Sequence, residues 1–336
     1  MTGGDSRFDE EHLISVVVPV YSGERSLAGL IDEIEPYTRS SRSPGGRPFR
    51  VAEVLLVYDR GPDNSPRVMR ELASQHTFVR TIWLSRNYGQ HAATLAGMAS
   101  SGGEWIATLD EDGQHDPAQL GVLLDVALVE QAAVVYARPT NQPPHSLFRN
   151  VTSRTAKWVA SMLSGGVDAS VFQSYRLVLG EVGRSVAAYA GAGVYLDVAL
   201  SWVSPQPATA PIRFRAEGDR TSGYSTRSLL SHFWRMVLSS GTRGLRIVSG
   251  LGIASAILGL LFAIYLVVNR LLDATLIQGW TSLVVVVLLT TGAVLFSLGV
   301  IAEYVGVAVN MAMGKPLYLI TSDPADGPLG RRDPAA

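Results

Sequence analysis

Cysteine is absent from the 336-residue chain. That excludes disulfides and thiolate metal sites, so any metal must be held by oxygen or imidazole. Net charge is nearly absent as well: 28 basic side chains stand against 29 acidic ones, and no basic excess points to a nucleic-acid partner. No internal repeat of fixed period is visible. The first fifteen residues, MTGGDSRFDEEHLIS, contain no apolar core and do not read as a cleaved signal peptide. The turn YSGERS after the first apolar run lacks G-x-G-x-x-G, which argues against a Rossmann dehydrogenase, and no P-loop sequence occurs. Charge also becomes scarce beyond residue 244, where aliphatic residues crowd into two blocks. That shift in composition marks a domain boundary.

What is present begins with alternation. The β-branched run LISVVVPV (13–20) precedes Leu27, Leu30, Ile31 and Ile34 at helical spacing. The unit repeats as VAEVLLVY (51–58) before a helix near 64–76, VRTIWL (79–84) before one near 89–101, and EWIATLD (104–110) before one near 117–130. A further strand is expected at 132–137. Nearly continuous apolar strands alternating with helices predict a mostly parallel sheet covered on both faces, with ligands at the carboxyl ends of the strands. The segment 38–50, TRSSRSPGGRPFR, reads as an exposed excursion between the first helix and the second strand. After residue 145 the spacing suggests a helix around Lys157 and Trp158, a strand in VFQSYRLVL, another helix, and an extended PIRFR at 211–215.

The stretches 245–268 and about 280–302 each exceed the roughly 20 apolar residues that span hydrocarbon. They predict a transmembrane hairpin over 244–303 with a short connecting loop. Before it, 226–243 places Leu229, Leu230, Phe233, Trp234 and Val237 on one helical face, as in an interfacial juxtamembrane helix or an ordinary core-packing one. Arg235, Arg243 and Arg246 lie before or at the start of the first span, and Lys315, Arg331 and Arg332 follow the second. The positive-inside bias then puts both long flanks, residues 1–225 and the tail 304–336, on the cytoplasmic face of the cell membrane. Glu303 is expected at the interfacial end of the second span.

Chemistry gathers at the predicted strand ends. VYDRGPDNS (57–65) and the acidic cluster Asp110, Glu111 and Asp112 offer carboxylates along one edge of the sheet. A D-x-D pair there suits Mg²⁺ or Mn²⁺, with phosphate oxygens completing the coordination; the same pair in an exposed loop can equally be a solvated turn. Asp116 and Pro117 read as the start of the next helix, and Glu111 as pointing away or supporting the loop.

In order along the chain, VVVPVYSGERSL, VYDRGPDNS, LSRNYGQHAATLAGM, TLDEDGQHDP, RAEGDRTSGYSTRSLL and KPLYLI resemble the family 2 glycosyltransferases. Within that family they resemble the membrane-anchored bacterial polyprenyl-phosphate enzymes related to dolichyl-phosphate mannose synthase and the aminoarabinose-lipid transferases. The resemblance covers about residues 14–320. It implies an α/β, A-type glycosyltransferase fold with a mostly parallel sheet, carrying interfacial helices and the two-helix hairpin. It also implies inverting transfer of a single sugar from a nucleotide sugar to polyprenyl phosphate, with a UDP-sugar favoured and GDP-mannose open. The further expectations are a homotetramer, Mg²⁺ or Mn²⁺ as cofactor, and a flippase as a partner.

Residue by residue, the resemblance implies that Pro19, Tyr21 and Glu24 enclose the base and ribose and that Asp59 reads the base edge. Arg86 and Asn87 line the donor site, Asp110 and Asp112 hold the metal, and Gln114 lies near the donor sugar. Arg215, Arg220 and Ser222 fall in a phosphate-covering segment, with Arg176 as a further phosphate contact. Asp112, Arg220 and Asp197 form the catalytic set. Asp197 fits an arginine-orienting or acceptor-contacting acid, and equally an N-cap or a buried ion pair. His91 and His115 fit contacts to donor or acceptor as well as structural roles. Residues 203–246 carry seven arginines against two acids, a net of +5 beside the expected membrane.

Arg60 stands where the family more often has a small residue, which leaves the base preference open, and three further positions depart from the family pattern. Tyr58 precedes Asp59 where a second acid is usual, Ser174 precedes Tyr-Arg-Leu where an acid is common, and Gly223 replaces a frequent lysine. They keep open a degenerate nucleotide-sugar-binding scaffold. A processive polysaccharide synthase would carry Q-x-x-R-W and more spans, and neither occurs in this sequence.

Overall fold

The computed structural model describes residues 10–141, 171–191, 194–204, 206–215, 280–314 and 316–326, together with 252–254, 257–262, 264–265 and 268. Among them, the alternation seen in the sequence closes into a nine-stranded sheet in the order β8-β6-β7-β5-β1-β3-β4-β9, with β2 paired to β3. The strands are β1 (His12–Val20), β2 (Ser41–Arg42), β3 (Pro48–Tyr58), β4 (Val79–Leu84), β5 (Trp105–Thr108), β6 (Val134–Pro139), β7 (Arg176–Leu179), β8 (Ala208–Ile212) and β9 (Ile320–Thr321). The β1, β3, β4 and β5 pairings are parallel, as is β6 with β8. β7 runs antiparallel between β5 and β6, so the sheet is mixed and mostly parallel.

Two cores explain why the central strands carry nearly continuous apolar runs. Ile14, Val16, Val18, Val54 and Leu56 face the layer of α1 (Leu27–Ile34), α2 (Ser65–Gln75) and α4 (Leu120–Glu130). The intervening Val17, Leu55 and Val57 face the layer that includes α3 (Gln90–Ser100), α5 (Gly180–Tyr189) and α6 (Leu196–Val203). Period-two alternation thus loads both faces, as a sheet sandwiched by helices requires. On α3, a Cβ at Gly97 would overlap Val17 Cγ1 and crowd Val57. Gly97→Val is therefore expected to cost stability at the upper end of the roughly 1–3 kcal/mol typical of overpacking, read from a thermal or denaturant melt.

Three expectations change shape. The 38–50 excursion is not a free loop: Ser41 and Arg42 pair with Phe49 and Pro48 in a hairpin turned by Gly46 at φ +83°. The Asp125 carboxylate on α4 pins it, accepting from Ser43 Oγ at 2.5 Å and Gly45 N at 2.6 Å. The second apolar block is a helix over Trp280–Ala312, ten residues beyond the expected end at 302, because Glu303, Tyr304 and Asn310 continue it. Glu303 consequently lies inside the stretch Leu289–Asn310, which is long and apolar enough to cross a membrane. Among the described residues this is the one such helix; helix Gly252–Phe262, from the first block, is shorter. At about 1.5 Å per residue, the 33-residue helix is roughly 50 Å long, longer than a hydrocarbon core. The juxtamembrane stretch 226–243, the helix around Lys157, and residues 327–336 lie outside the described residues.

The remaining tail returns to the sheet instead of trailing from it. Ile320 and Thr321 pair antiparallel with Leu84 and Trp83, and Ser85 N donates to Leu319 O at 2.9 Å. Arg70 grips Asp323 through two 2.7 Å bonds while its guanidinium lies 4.9 Å over the Trp83 ring. That grip holds the Asp323 carboxyl below its ordinary range. Leu317 and Tyr318 pack against the α3 side of the core.

Candidate active site

The loops leaving β1, β3, β4 and β5 meet at the carboxyl edge of the sheet, where apolar strand packing gives way to polar turns. Carboxylates staple these loops together. Asp59, 3% exposed at the end of β3, accepts from Tyr88 N at 2.7 Å and Gly89 N at 2.8 Å in the loop after β4. Burial pushes its carboxyl upward and those two amides pull against the shift. Glu24 accepts from Asn64 N at 3.2 Å, and its own amide donates to Asp63 Oδ2 at 3.0 Å, joining the β1 and β3 loops. At Gly61 a Cβ would overlap the Tyr21 carbonyl oxygen, so the two loops touch backbone to backbone.

The acidic turn after β5 is the centre of this arrangement. Asp110 accepts from Gln90 Nε2 and Ser174 Oγ, each at 2.6 Å. Glu111 supports the loop, accepting from Tyr21 N and Ser22 N. Asp112 closes the turn at Gly113, whose φ of +76° suits glycine, by accepting from Gln114 N at 3.0 Å and Gln114 Nε2 at 2.9 Å. Asp116 caps the following 3₁₀ turn through Ala118 N at 3.0 Å, with Pro117 at its first position.

His115 is structural. It is buried, its Nδ1 accepts from Asp110 N at 2.9 Å, and its ring stacks on Tyr175 with centroids 4.9 Å apart. Burial holds its pKa below the usual histidine value, with the Asp110 charge opposing, so the neutral tautomer carries its proton on Nε2. His91 packs against Tyr195 with ring centroids 3.9 Å apart.

Pro19 is half-buried within β1, Tyr21 is 47% exposed, and Asn87 is exposed on the loop after β4. Arg86 lies 4.5 Å over the Tyr88 ring. Arg215 borders the acidic turn: its amide donates to Gln114 O at 3.2 Å and its guanidinium pairs with Glu33 and, at 3.1 Å, with Asp116. The edge thus gathers Pro19, Tyr21, Glu24, Asp59, Arg86, Asn87, Asp110, Asp112, Gln114 and Arg215. Arg220 and Ser222 lie outside the described residues.

Arg176 and Asp197 lie behind this edge. Each is 3% exposed, and they form a buried ion pair with each other. Tyr136 Oη also donates to Asp197 at 2.9 Å, and Arg176 Nε donates to Thr108 Oγ1 at 3.2 Å. Burial pushes the Asp197 carboxyl up while Arg176 and Tyr136 oppose it. These contacts tie β5, β6 and β7 to α6. Sequence reasoning did not single out Gln90 and Thr108, although both lie within the matched stretches LSRNYGQHAATLAGM and TLDEDGQHDP; the Ser174 departure pointed to the other side of the Asp110 support.

Among the described residues, no three His, Asp or Glu side chains converge to hold a metal ion. Asp110 and Asp112 nevertheless present hard oxygen donors at a strand end, and Asp112 is exposed. That set fits Mg²⁺ or Mn²⁺ bound by one or two carboxylates, with water and phosphate supplying the rest.

A mixed sheet between two helical layers, with acids and amide-bound turns at its carboxyl edge, defines a three-layer α/β fold. A solved glucosyl-3-phosphoglycerate synthase from Mycobacterium tuberculosis, complexed with Mn²⁺, UDP-glucose and phosphoglyceric acid, shares it at a TM-score of 0.50 and 17% identity. The match covers 69% of this chain and 79% of that one. The family model for glycosyl transferase family 2 matches residues 15–173. The undecaprenyl-phosphate 4-deoxy-4-formamido-L-arabinose transferase of Pseudomonas paraeruginosa is 30% identical over 315 residues, covering 92% of this chain and 89% of the relative. Its namesake in Proteus mirabilis is 27% identical over 332 residues, covering 94% and 95%. The chain belongs to glycosyl transferase family 2, and it is an enzyme of that family.

Proposed function

We propose that this enzyme transfers a single sugar from a nucleotide-diphosphate sugar, a UDP-sugar in preference to GDP-mannose, to a polyprenyl phosphate at the cytoplasmic membrane face. The observation that carries the reading is the acidic turn Asp110–Gln114, tied by hydrogen bonds to the β1 loop and to Arg215. The relatives named for undecaprenyl-phosphate transfer, aligned over nearly the whole chain, supply the acceptor class.

In this reading a phosphate oxygen of the acceptor bonds to the anomeric carbon as the bond to the diphosphate breaks, which inverts that carbon. The acceptor phosphate is already anionic near neutral pH, so no strong general base is needed. Asp112 and Asp110 hold the divalent cation, which when bound neutralises charge on the leaving diphosphate. Arg215, Arg220 and Ser222 hold phosphate groups, Gln114 lies near the sugar, and Tyr21, Glu24 and Asp59 form the base end of the site. The Arg176–Asp197 pair keeps β5 and β7 in register beneath it. Residues 1–225 form the catalytic domain, 226–243 a juxtamembrane helix, and the two apolar blocks a membrane hairpin. The exposed apolar surface of helix Trp280–Ala312 supports membrane residence. A tetramer packed through these helices and a flippase that receives the product complete the proposal.

Purified full-length protein supplied with labelled UDP-sugars or GDP-mannose, Mg²⁺ or Mn²⁺, and undecaprenyl phosphate is expected to yield a lipid-extractable product. Its mass should correspond to one added sugar. Chains of added sugar would indicate a processive synthase. Donor binding by calorimetry with no product from any donor would favour a scaffold.

A further inference from the structure

The residue between the two implied metal acids has its own geometry. Glu111 Oε2 accepts from Tyr21 N at 2.9 Å and Glu111 Oε1 from Ser22 N at 2.8 Å, across 90 and 89 positions of sequence. One carboxylate therefore grips two successive amides of the loop leaving β1. The next residue is fitted to that grip: a Cβ at Gly23 would lie 2.9 Å from Glu111 Oε2 and 2.7 Å from Leu27 Cγ, leaving no room for a side chain. From the other side the same loop is held by Ser65 Oγ, which accepts from Gly23 N at 2.8 Å, and by the Glu24, Asp63 and Asn64 contacts. Tyr21 keeps its side chain exposed while its amide is fixed.

Glu111 is also rigidly placed with respect to its neighbours. Asp110 is clamped by Gln90 and Ser174, and Asp112 by the Gln114 turn. A displacement of the β1 loop therefore pulls on the peptide that joins the two acids. Charge-assisted bonds of this kind are roughly twice as strong as neutral ones, and two on one carboxylate define orientation as well as distance.

We propose that Glu111 is a positioning residue that fixes the loop after β1 to the acidic turn, so that the base end and the diphosphate end of the donor site are one mechanical unit. This rests on the donor reading above, in which Tyr21 faces the base and Asp112 the cation. Binding at one end then favours binding at the other by a reciprocal factor.

The test compares full-length wild type with Glu111→Ala and Glu111→Gln by calorimetry, using UDP, and GDP in parallel, with and without Mn²⁺. Glu111→Ala is expected to weaken nucleotide binding about tenfold, the scale of a lost charged hydrogen bond, and to shrink the factor by which Mn²⁺ tightens it. Glu111→Gln keeps one carbonyl acceptor and falls between; it carries the test alone if the alanine variant does not fold. Donor KM rises in the same order, with kcat falling by less. A lowered melting temperature with unchanged nucleotide affinity and an unchanged Mn²⁺ factor would overturn the proposal, leaving Glu111 a purely structural brace. Wild-type protein that binds neither UDP nor GDP would remove the donor reading itself, and the proposal with it.

Discussion

Replacing Asp112 by alanine is expected to reduce sugar transfer on the order of 10²–10³-fold, the scale found when one preorganised electrostatic contact to a developing charge is lost. The side chain is exposed at the strand-end turn, and its oxygens accept from Gln114 at 3.0 and 2.9 Å. Two effects of the substitution must be separated, because alanine removes both the charge and the clasp on the turn. Asp112→Asn retains a carbonyl that can accept from Gln114 N while removing the charge. If cation binding is the role, both variants lose activity alike, and Mn²⁺ affinity measured by electron paramagnetic resonance in the presence of UDP falls in parallel. An asparagine variant near wild-type activity would assign the residue to turn geometry instead. Full activity in the alanine variant would remove Asp112 from the site.

The largest stability effect is expected behind the edge. Asp197→Ala leaves Arg176 buried without its carboxylate and takes away the acceptor of Tyr136 Oη. Breaking a buried pair in this way costs about 3–5 kcal/mol, a large share of the roughly 5–15 kcal/mol that stabilises a domain. The double variant Arg176→Met with Asp197→Leu removes both charges and is expected to recover much of the loss. Melting of the detergent-solubilised proteins checks this: Asp197→Ala should melt well below wild type and the double variant nearer to it. A single variant that melts like wild type would mean that the pair contributes no net stability.

Much of the fold was legible because its signal is periodic. The runs at β1, β3, β4, β5 and β6 are apolar on both faces, and helices α1–α4 follow them at the expected places. What the sequence did not disclose depends on contacts between distant residues. Ser41–Arg42 is two residues long, and its pairing reflects a turn at Gly46 and the reach of Asp125, neither of which has a local period. The position of β7 between β5 and β6 is a matter of chain routing, invisible to windowed hydropathy. At the second apolar block, hydropathy located the helix but not its end, since Glu303 and Asn310 lower the average without breaking hydrogen bonding.

The site was read in the same uneven way. Its acids were identifiable because strand ends concentrate function, and Asp116 with Pro117 carries a local capping pattern. Their partners were not, because Asp59 with Tyr88 and Gly89, Glu111 with Tyr21 and Ser22, and Ser174 with Asp110 join positions 29 to 90 residues apart. Asp197 had four readings in the sequence; its burial and its contact with Arg176 agree with two of them, the buried ion pair and the arginine-orienting acid.

The pairing of Ile320 and Thr321 with β4 bears on biosynthesis. A chain emerging from the ribosome has made every other strand of the sheet before helix Trp280–Ala312, yet the β4 border stays unprotected until residues beyond that helix appear. The globular unit is therefore not a contiguous stretch that matures first and is tethered later. Its last strand can pair only after the apolar helix has been synthesised. A product terminated after the helix would expose the backbone groups at the carboxyl end of β4, around Trp83 and Leu84, where the full-length protein places its own last strand.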